Sequence, residues 1–208
     1  MDKRRKHIAI LVSGGGTNLQ AIIDAVECGK INGDIKLVVS NRKAAYGLER
    51  AKNHNIKSLY IRGDGEYSKS YDKKLEEALD KEEVDLIVLA GYLKMISDSL
   101  IKKYENRIIN IHPSLIPSFC GEGFYGIRVH EKVIEYGVKV SGATTHFVNE
   151  VPDGGPIIAQ KTVIVDDSDT KENLQKKVLE VEHKILVESV RDFCDDKLEV
   201  VGRKVIKR

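Results

Sequence analysis

Apolar runs of strand length recur along the first half of the chain, each followed by a stretch whose apolar positions fall three or four residues apart. The pairs are 7–12 with 18–28, 35–40 with 46–53, and 84–90 with 97–104, the alternation expected of βαβ units. The run Asp85-Leu86-Ile87-Val88-Leu89-Ala90 is continuous rather than alternating. Strands of that kind are buried on both faces, so the pattern predicts a mostly parallel twisted sheet flanked by helices. A further strand is expected at 57–61, and an amphipathic helix at 71–81 carried by Leu75, Ala78 and Leu79.

Beyond a strand at 108–111 the rhythm changes. Pro113, Pro117, Gly121, Gly123 and Gly126 punctuate an irregular stretch ahead of a short helix at 129–136. Long irregular connections in compact domains usually serve a function. Two more strands, at 138–149 and 156–165, are joined by a turn around Asp153, which gives the second half antiparallel strands. Asp169-Thr170 caps a long helix reaching about residue 193, with Leu174, Val178, Val181, Ile185 and Leu186 on its inner face. Residues 198–206 add one strand or a short hairpin. The expected fold class is α/β and Rossmann-like, with antiparallel strands in the C-terminal half. The 208 residues suit one domain: a phosphate-binding half at 1–110, and a half at 111–208 carrying the loop, the Asp153 turn and the long helix.

Thirty-four Lys and Arg against 32 Asp and Glu leave a net charge of +2, so no global field favours nucleic acid or an anionic membrane. The basic clusters Lys3-Arg4-Arg5-Lys6 and Lys207-Arg208 read as solvated termini. Cys28, Cys120 and Cys194 have no close pairing, which argues against a disulfide framework or a structural zinc. The first apolar run is too short to span a membrane and no cleavage pattern follows it. A cytoplasmic protein with small-molecule substrates, monomeric or homodimeric, is expected.

The chemistry concentrates in three places. Asn110 and His112 lie two residues apart at the end of an apolar run, so their side chains share one face of a strand. Val151-Pro152-Asp153-Gly154-Gly155-Pro156 sets a carboxylate in a tight turn. An amide donor for an oxyanion, an imidazole that moves a proton near neutrality and a carboxylate beside it suit acyl transfer. A nearby carboxylate would favour the charged form of His112. Third, Ser13-Gly14-Gly15-Gly16-Thr17-Asn18 follows the first strand and opens the first helix, where free N–H groups and the helix dipole bind phosphate. Leu19 stands where a dinucleotide fingerprint needs glycine, and the Lys-Ser/Thr of a P-loop is missing. The loop therefore suits one phosphate on a small substrate. His112, His130, His146 and Cys120 lack paired ligand spacing, so no metal is expected. No Gly-x-Ser-x-Gly elbow is present.

The run Asn110-Ile111-His112-Pro113-Ser114-Leu115-Ile116-Pro117, together with Gly142, Thr144, His146, Phe147, Asp153 and Gly155 at their spacing, resembles the 10-formyltetrahydrofolate-dependent formyltransferase family. The segment from Ser13 to Ile23 is similar to the branch that formylates the amine of phosphoribosylglycinamide (GAR) in purine synthesis. The likeness extends from about Ile8 to Leu186. It implies the formyltransferase fold, 10-formyltetrahydrofolate as co-substrate, and Asn110, His112 and Asp153 as the catalytic trio. It also implies that Gly16, Thr17 and Asn18 hold the GAR phosphate, and that Glu182 holds the ribose hydroxyls. The folate would rest on Leu93, Lys94, Met95, Ile96 and Asn110, beneath the loop beginning near Ser118. Three positions depart from the family pattern: Lys94 where arginine is frequent, Leu179 where a polar or basic chain often assists the phosphate, and Ser68 where some members carry arginine, with Lys69 beside it. Within the same chemistry a formyltetrahydrofolate hydrolase would use water as nucleophile and a methionyl-tRNA formyltransferase a charged tRNA. Each normally carries an added domain for which this sequence has no counterpart. From a different class, a non-enzymatic nucleotide-sensing α/β module would use the glycine loop and leave the trio unexplained.

Overall fold

The computed structural model describes residues 4–63 and 68–208. The elements run β1 (Lys6–Val12), α1 (Thr17–Glu27), β2 (Gly33–Ser40), α2 (Tyr46–Asn53), β3 (Ser58–Tyr60), α3 (Lys69–Lys81), β4 (Leu86–Leu89), α4 (Asp98–Lys103) and β5 (Ile108–His112). They continue with α5 (Ile127–Tyr136), β6 (Val140–Phe147), β7 (Ile157–Ile164), α6 (Lys171–Cys194), β8 (Leu198–Val201) and β9 (Lys204–Lys207). All the strands join one sheet in the order β3-β2-β1-β4-β5-β6-β7-β9-β8. Pairing is parallel from β3 to β5 and turns antiparallel at β5–β6 and β6–β7. The expected α/β architecture is thus the one observed, and the C-terminal tail takes the hairpin option, turning at Gly202 with φ 62°.

Two apolar layers sandwich the parallel half. Ile8, Ile10 and Val12 of β1 point to the layer built with α1 and α6, while Ala9 and Leu11 point to the layer built with α3 and α4. β4 divides in the same way, Leu86 and Val88 against Ile87 and Leu89, as a strand covered on both faces must. On β5, Ile109 and Ile111 enter the α1/α6 layer. Asn110 and His112 therefore face the opposite side, where α3 and α4 cover the sheet only in part. Thr170 caps α6 as expected, its hydroxyl accepting from the Asn173 N–H at 3.2 Å.

Past β5, the chain 113–118 crosses β6 instead of a helix. Thr144 anchors that crossing: its hydroxyl donates to the Ser114 carbonyl at 2.7 Å and accepts from the Ile116 N–H at 3.1 Å. The close approach has a steric requirement. A Cβ on Gly142 would sit 2.0 Å from the Lys161 carbonyl oxygen and 2.8 Å from Leu115 Cδ2. Gly142→Ala is expected to cost on the order of 3 kcal/mol, because the nearest obstacle is backbone and cannot swing aside. Chemical denaturation checks this, and an unchanged midpoint would mean that β6 and β7 can separate freely.

Candidate active site

The site forms where β5 ends. The β5–β6 register sets Asn110 directly opposite His146, and His112 opposite Thr144. From the other side the 151–156 turn brings in Asp153. Its φ is 54°, in the left-handed region that Asp tolerates better than most residues, and the Gly154 N–H closes the turn on the Val151 carbonyl at 2.8 Å. Gly155 admits no side chain, since a Cβ there would lie 1.7 Å from the Phe147 carbonyl oxygen.

Asp153 is the hub. Its Oδ1 lies 3.4 Å from Asn110 Nδ2 and 3.5 Å from His146 Nε2. Its Oδ2 lies 3.3 Å from His112 Nδ1 and accepts the Gly121 N–H at 2.9 Å. The structure thus brings Asn110, His112 and Asp153 together, from stretches more than forty residues apart in sequence. It adds His146, whose Nδ1 faces the Phe147 carbonyl at 2.9 Å and so carries hydrogen. Its Nε2 faces the Asn110 amide at 3.1 Å. As a lone pair that nitrogen accepts from Asn110; as N–H it donates to Asp153.

Burial dominates the electrostatics of His112, which is 4% exposed. It pushes the imidazole below its ordinary value; the Asp153 charge and the Phe119 carbonyl pull the other way without reversing it, and His146 adds to the lowering. Asp153 thus favours the charged imidazole, as expected, against the desolvation that opposes it. For Asp153 burial raises the pKa, but His146, the His112 charge and the Gly121 N–H outweigh it, and the carboxyl is held below the usual carboxylate range.

The loop after Pro117 lies on the trio. The Phe119 carbonyl oxygen sits 2.9 Å from His112 Nε2, marking the place an acceptor takes on that nitrogen. Phe119 has φ 50° and packs edge-on against Phe124 and Tyr136. Cys120, beside it, has its thiol pKa raised by burial and then by Asp153. The Phe119 carbonyl and the Gly121 N–H escape sequence reasoning; His146 is visible there by its even spacing from Gly142 and Thr144 on one strand face, but its contacts with Asn110 and Asp153 are not.

On the phosphate side, Gly16 has φ 70°, opens α1 without a side-chain cap, and comes so close to α2 that a Cβ would meet Gly47 Cα at 2.9 Å. Gly14 and Gly15 are different: a Cβ on either would meet nothing within 4 Å. Packing does not require these two glycines, whereas a ligand approaching the backbone would. Thr17 begins the helix, and Asn18, 7% exposed, turns its amide inward to donate to Glu182 at 2.7 Å. Asn18 Oδ1 is buried without a partner among the described residues. Burial raises the pKa of Glu182 against the opposing Asn18 bond, which favours the form that can donate as well as accept.

Across the mouth of β4, the Leu93 N–H donates to Ser13 Oγ at 2.9 Å, tying the 93–96 segment to the glycine loop. Leu93 is exposed, Ile96 and Lys94 are buried, and the Lys94 ammonium lies 5.1 Å from the Tyr71 ring centre. Met95 is half-buried. Leu179 is half-buried on α6. Ser68 caps α3, its hydroxyl accepting from the Tyr71 N–H at 3.4 Å. Among the described residues no group of three or more His, Cys, Asp or Glu is placed to hold a metal ion, and no helix is long and apolar enough to cross a membrane.

A family model described as formyl transferase matches residues 6–190. The chain is 44% identical over 200 residues to the chloroplastic phosphoribosylglycinamide formyltransferase of Arabidopsis thaliana, covering 95% of this chain and 68% of that protein. The structure of glycinamide ribonucleotide transformylase 1 from Symbiobacterium toebii superposes with a TM-score of 0.92 at 40% identity, covering 99% of this chain and 95% of that one. A formyltetrahydrofolate deformylase from Pseudomonas syringae pv. tomato superposes with a TM-score of 0.89 at 27% identity, with 98% of this chain and 66% of that one covered. A sheet that turns antiparallel at β5, an amide, an imidazole and a carboxylate meeting at its end, and a match over nearly the whole length place this chain in the formyl transferase family.

Proposed function

We propose that the protein transfers a formyl group from 10-formyltetrahydrofolate to the amine of GAR, giving formyl-GAR on the route to purine nucleotides. The observation that carries this reading is the convergence of Asn110, His112 and His146 on the two oxygens of Asp153. The substrate amine is the nucleophile, so no serine or cysteine need supply one. Its attack puts negative charge on the formyl oxygen, where the Asn110 amide and a His112 N–H are the donors. Asp153, ionised and facing His112, stabilises the imidazolium as a proton moves, and takes part in passing the amine's proton to the leaving nitrogen.

The substrates span the mouth of the sheet. Gly16, Thr17 and Asn18 would hold the phosphate, with Glu182 behind Asn18 for the ribose hydroxyls. Leu93, Lys94, Met95, Ile96 and Asn110 would line the folate side. Within one domain, residues 1–110 would be the phosphate-binding half and residues 111–208 the half carrying the loop, the Asp153 turn and the long helix. A small-molecule enzyme of the cytoplasm, without nucleic acid or membrane as partner, agrees with the net charge of +2.

The decisive measurement is absorbance of the deformylated folate after mixing the protein with 10-formyltetrahydrofolate, before and after adding GAR. Release that requires GAR is expected. Equal release without it would replace transfer by hydrolysis, with water as the nucleophile.

A further inference from the structure

We propose that Arg50, on α2, is a positioning residue for the phosphate loop: its guanidinium fixes the Gly15 peptide so that the N–H groups opening α1 face the substrate's phosphate. This rests on the assignment of Gly16, Thr17 and Asn18 to the phosphate, and concerns a side chain outside that set.

Three successive glycines cannot hold a loop by themselves, because each samples far more backbone conformations than other residues. Nor does packing on the Cα face confine Gly14 or Gly15, where an added Cβ would meet nothing within 4 Å. What holds them is α2. The Gly47 N–H donates to the Gly14 carbonyl at 3.1 Å. Arg50 Nε donates to the Gly15 carbonyl at 2.8 Å and its Nη1 to Gln20 Oε1 at 3.0 Å, one turn into α1. The guanidinium is steadied in turn by the Tyr46 ring, 5.0 Å below it.

The consequence follows from the planar trans peptide, in which C=O and the next N–H point in opposite directions. With the Gly14 carbonyl held by Gly47, the Gly15 N–H points away from α2. With the Gly15 carbonyl held by Arg50, the Gly16 N–H does the same. Two successive donors are thereby turned to one side, next to the helix start from Thr17, which is the arrangement that binds an anion. Only a planar fork can serve Gly15 and Gln20 while lying on Tyr46; an ammonium supplies the charge without that geometry.

Arg50→Met and Arg50→Lys test this by steady-state kinetics and by calorimetric titration with ribose 5-phosphate. Both variants are expected to raise KM for GAR by about tenfold or more, with kcat and KM for the formyl-folate within about twofold of the parent. Ribose 5-phosphate should bind about tenfold more weakly in both, and unphosphorylated ribose should not distinguish them from the parent. An Arg50→Lys enzyme with parental KM for GAR would overturn the proposal, because charge alone would then suffice. So would a fall in kcat with KM unchanged, or equal rises in KM for both substrates. If GAR were not the substrate, the parent protein would fail to turn it over, while the ribose 5-phosphate titration would still report on the clamp.

Discussion

Asp153→Asn is expected to lower turnover by roughly ten-thousandfold, the scale seen when a carboxylate that orients a working histidine loses its charge. The physical reason is the number of groups that depend on it. Asn110, His112, His146 and the Gly121 N–H all address its two oxygens, between 2.9 and 3.5 Å away. An asparagine keeps the shape, but it replaces one acceptor by an NH2 group that faces donors. The pH profile carries a second, signed prediction. Burial already holds His112 below its ordinary value, and the Asp153 charge is the largest influence opposing that. Neutralising residue 153 removes the opposition, so the histidine's titration, and with it the alkaline limb of kcat/KM set by loss of the donating imidazolium, moves to lower pH. A variant whose alkaline limb stays where it was would show that the carboxylate does not set the histidine's charge.

Asn110→Ala and His112→Ala should each reduce turnover by about a hundredfold or more, the usual cost of removing one donor to an oxyanion. The two should not add, because both donors serve one oxygen and share one carboxylate. The double variant is expected to fall only modestly below the poorer single one. Folding should survive in each case: Asn110 is half-buried at the rim, and His112 ends its strand. Near-parental turnover in either single variant, with circular dichroism unchanged, would remove that residue from the chemistry.

Much of this was legible in the residues, for identifiable reasons. Continuous apolar runs announced β1, β2, β4 and β5, because strands buried on both faces leave no polar alternation. Element ends were less exact. β4, expected at 84–90, spans Leu86–Leu89, since Asp85 gives its carboxylate to the His7 N–H and to Arg4. The pairing of Asn110 with His112 needed only the period of a strand. Their meeting with Asp153 needed the β5–β6 register and a left-handed residue in the turn, neither of which local pattern supplies. The part His146 plays is hidden for the same reason: it comes from standing across the ladder from Asn110. The desolvation of His112 is not legible in the sequence, because a neighbouring carboxylate can be guessed from motifs, whereas desolvation depends on what the loop covers. Ser68 proved to be a helix cap, a role that its place before the 71–81 pattern could have suggested.

Asn110 lies in the hydrogen-bonded ladder between Leu89 on one side and His146 on the other, and His112 is paired with Thr144. The reacting groups therefore take their coordinates from the middle of the sheet, and the segment from Phe119 to Gly126 merely leans on them. Evolution can lengthen, shorten or recompose that segment, retuning how substrates come and go, without having to rebuild the chemistry underneath.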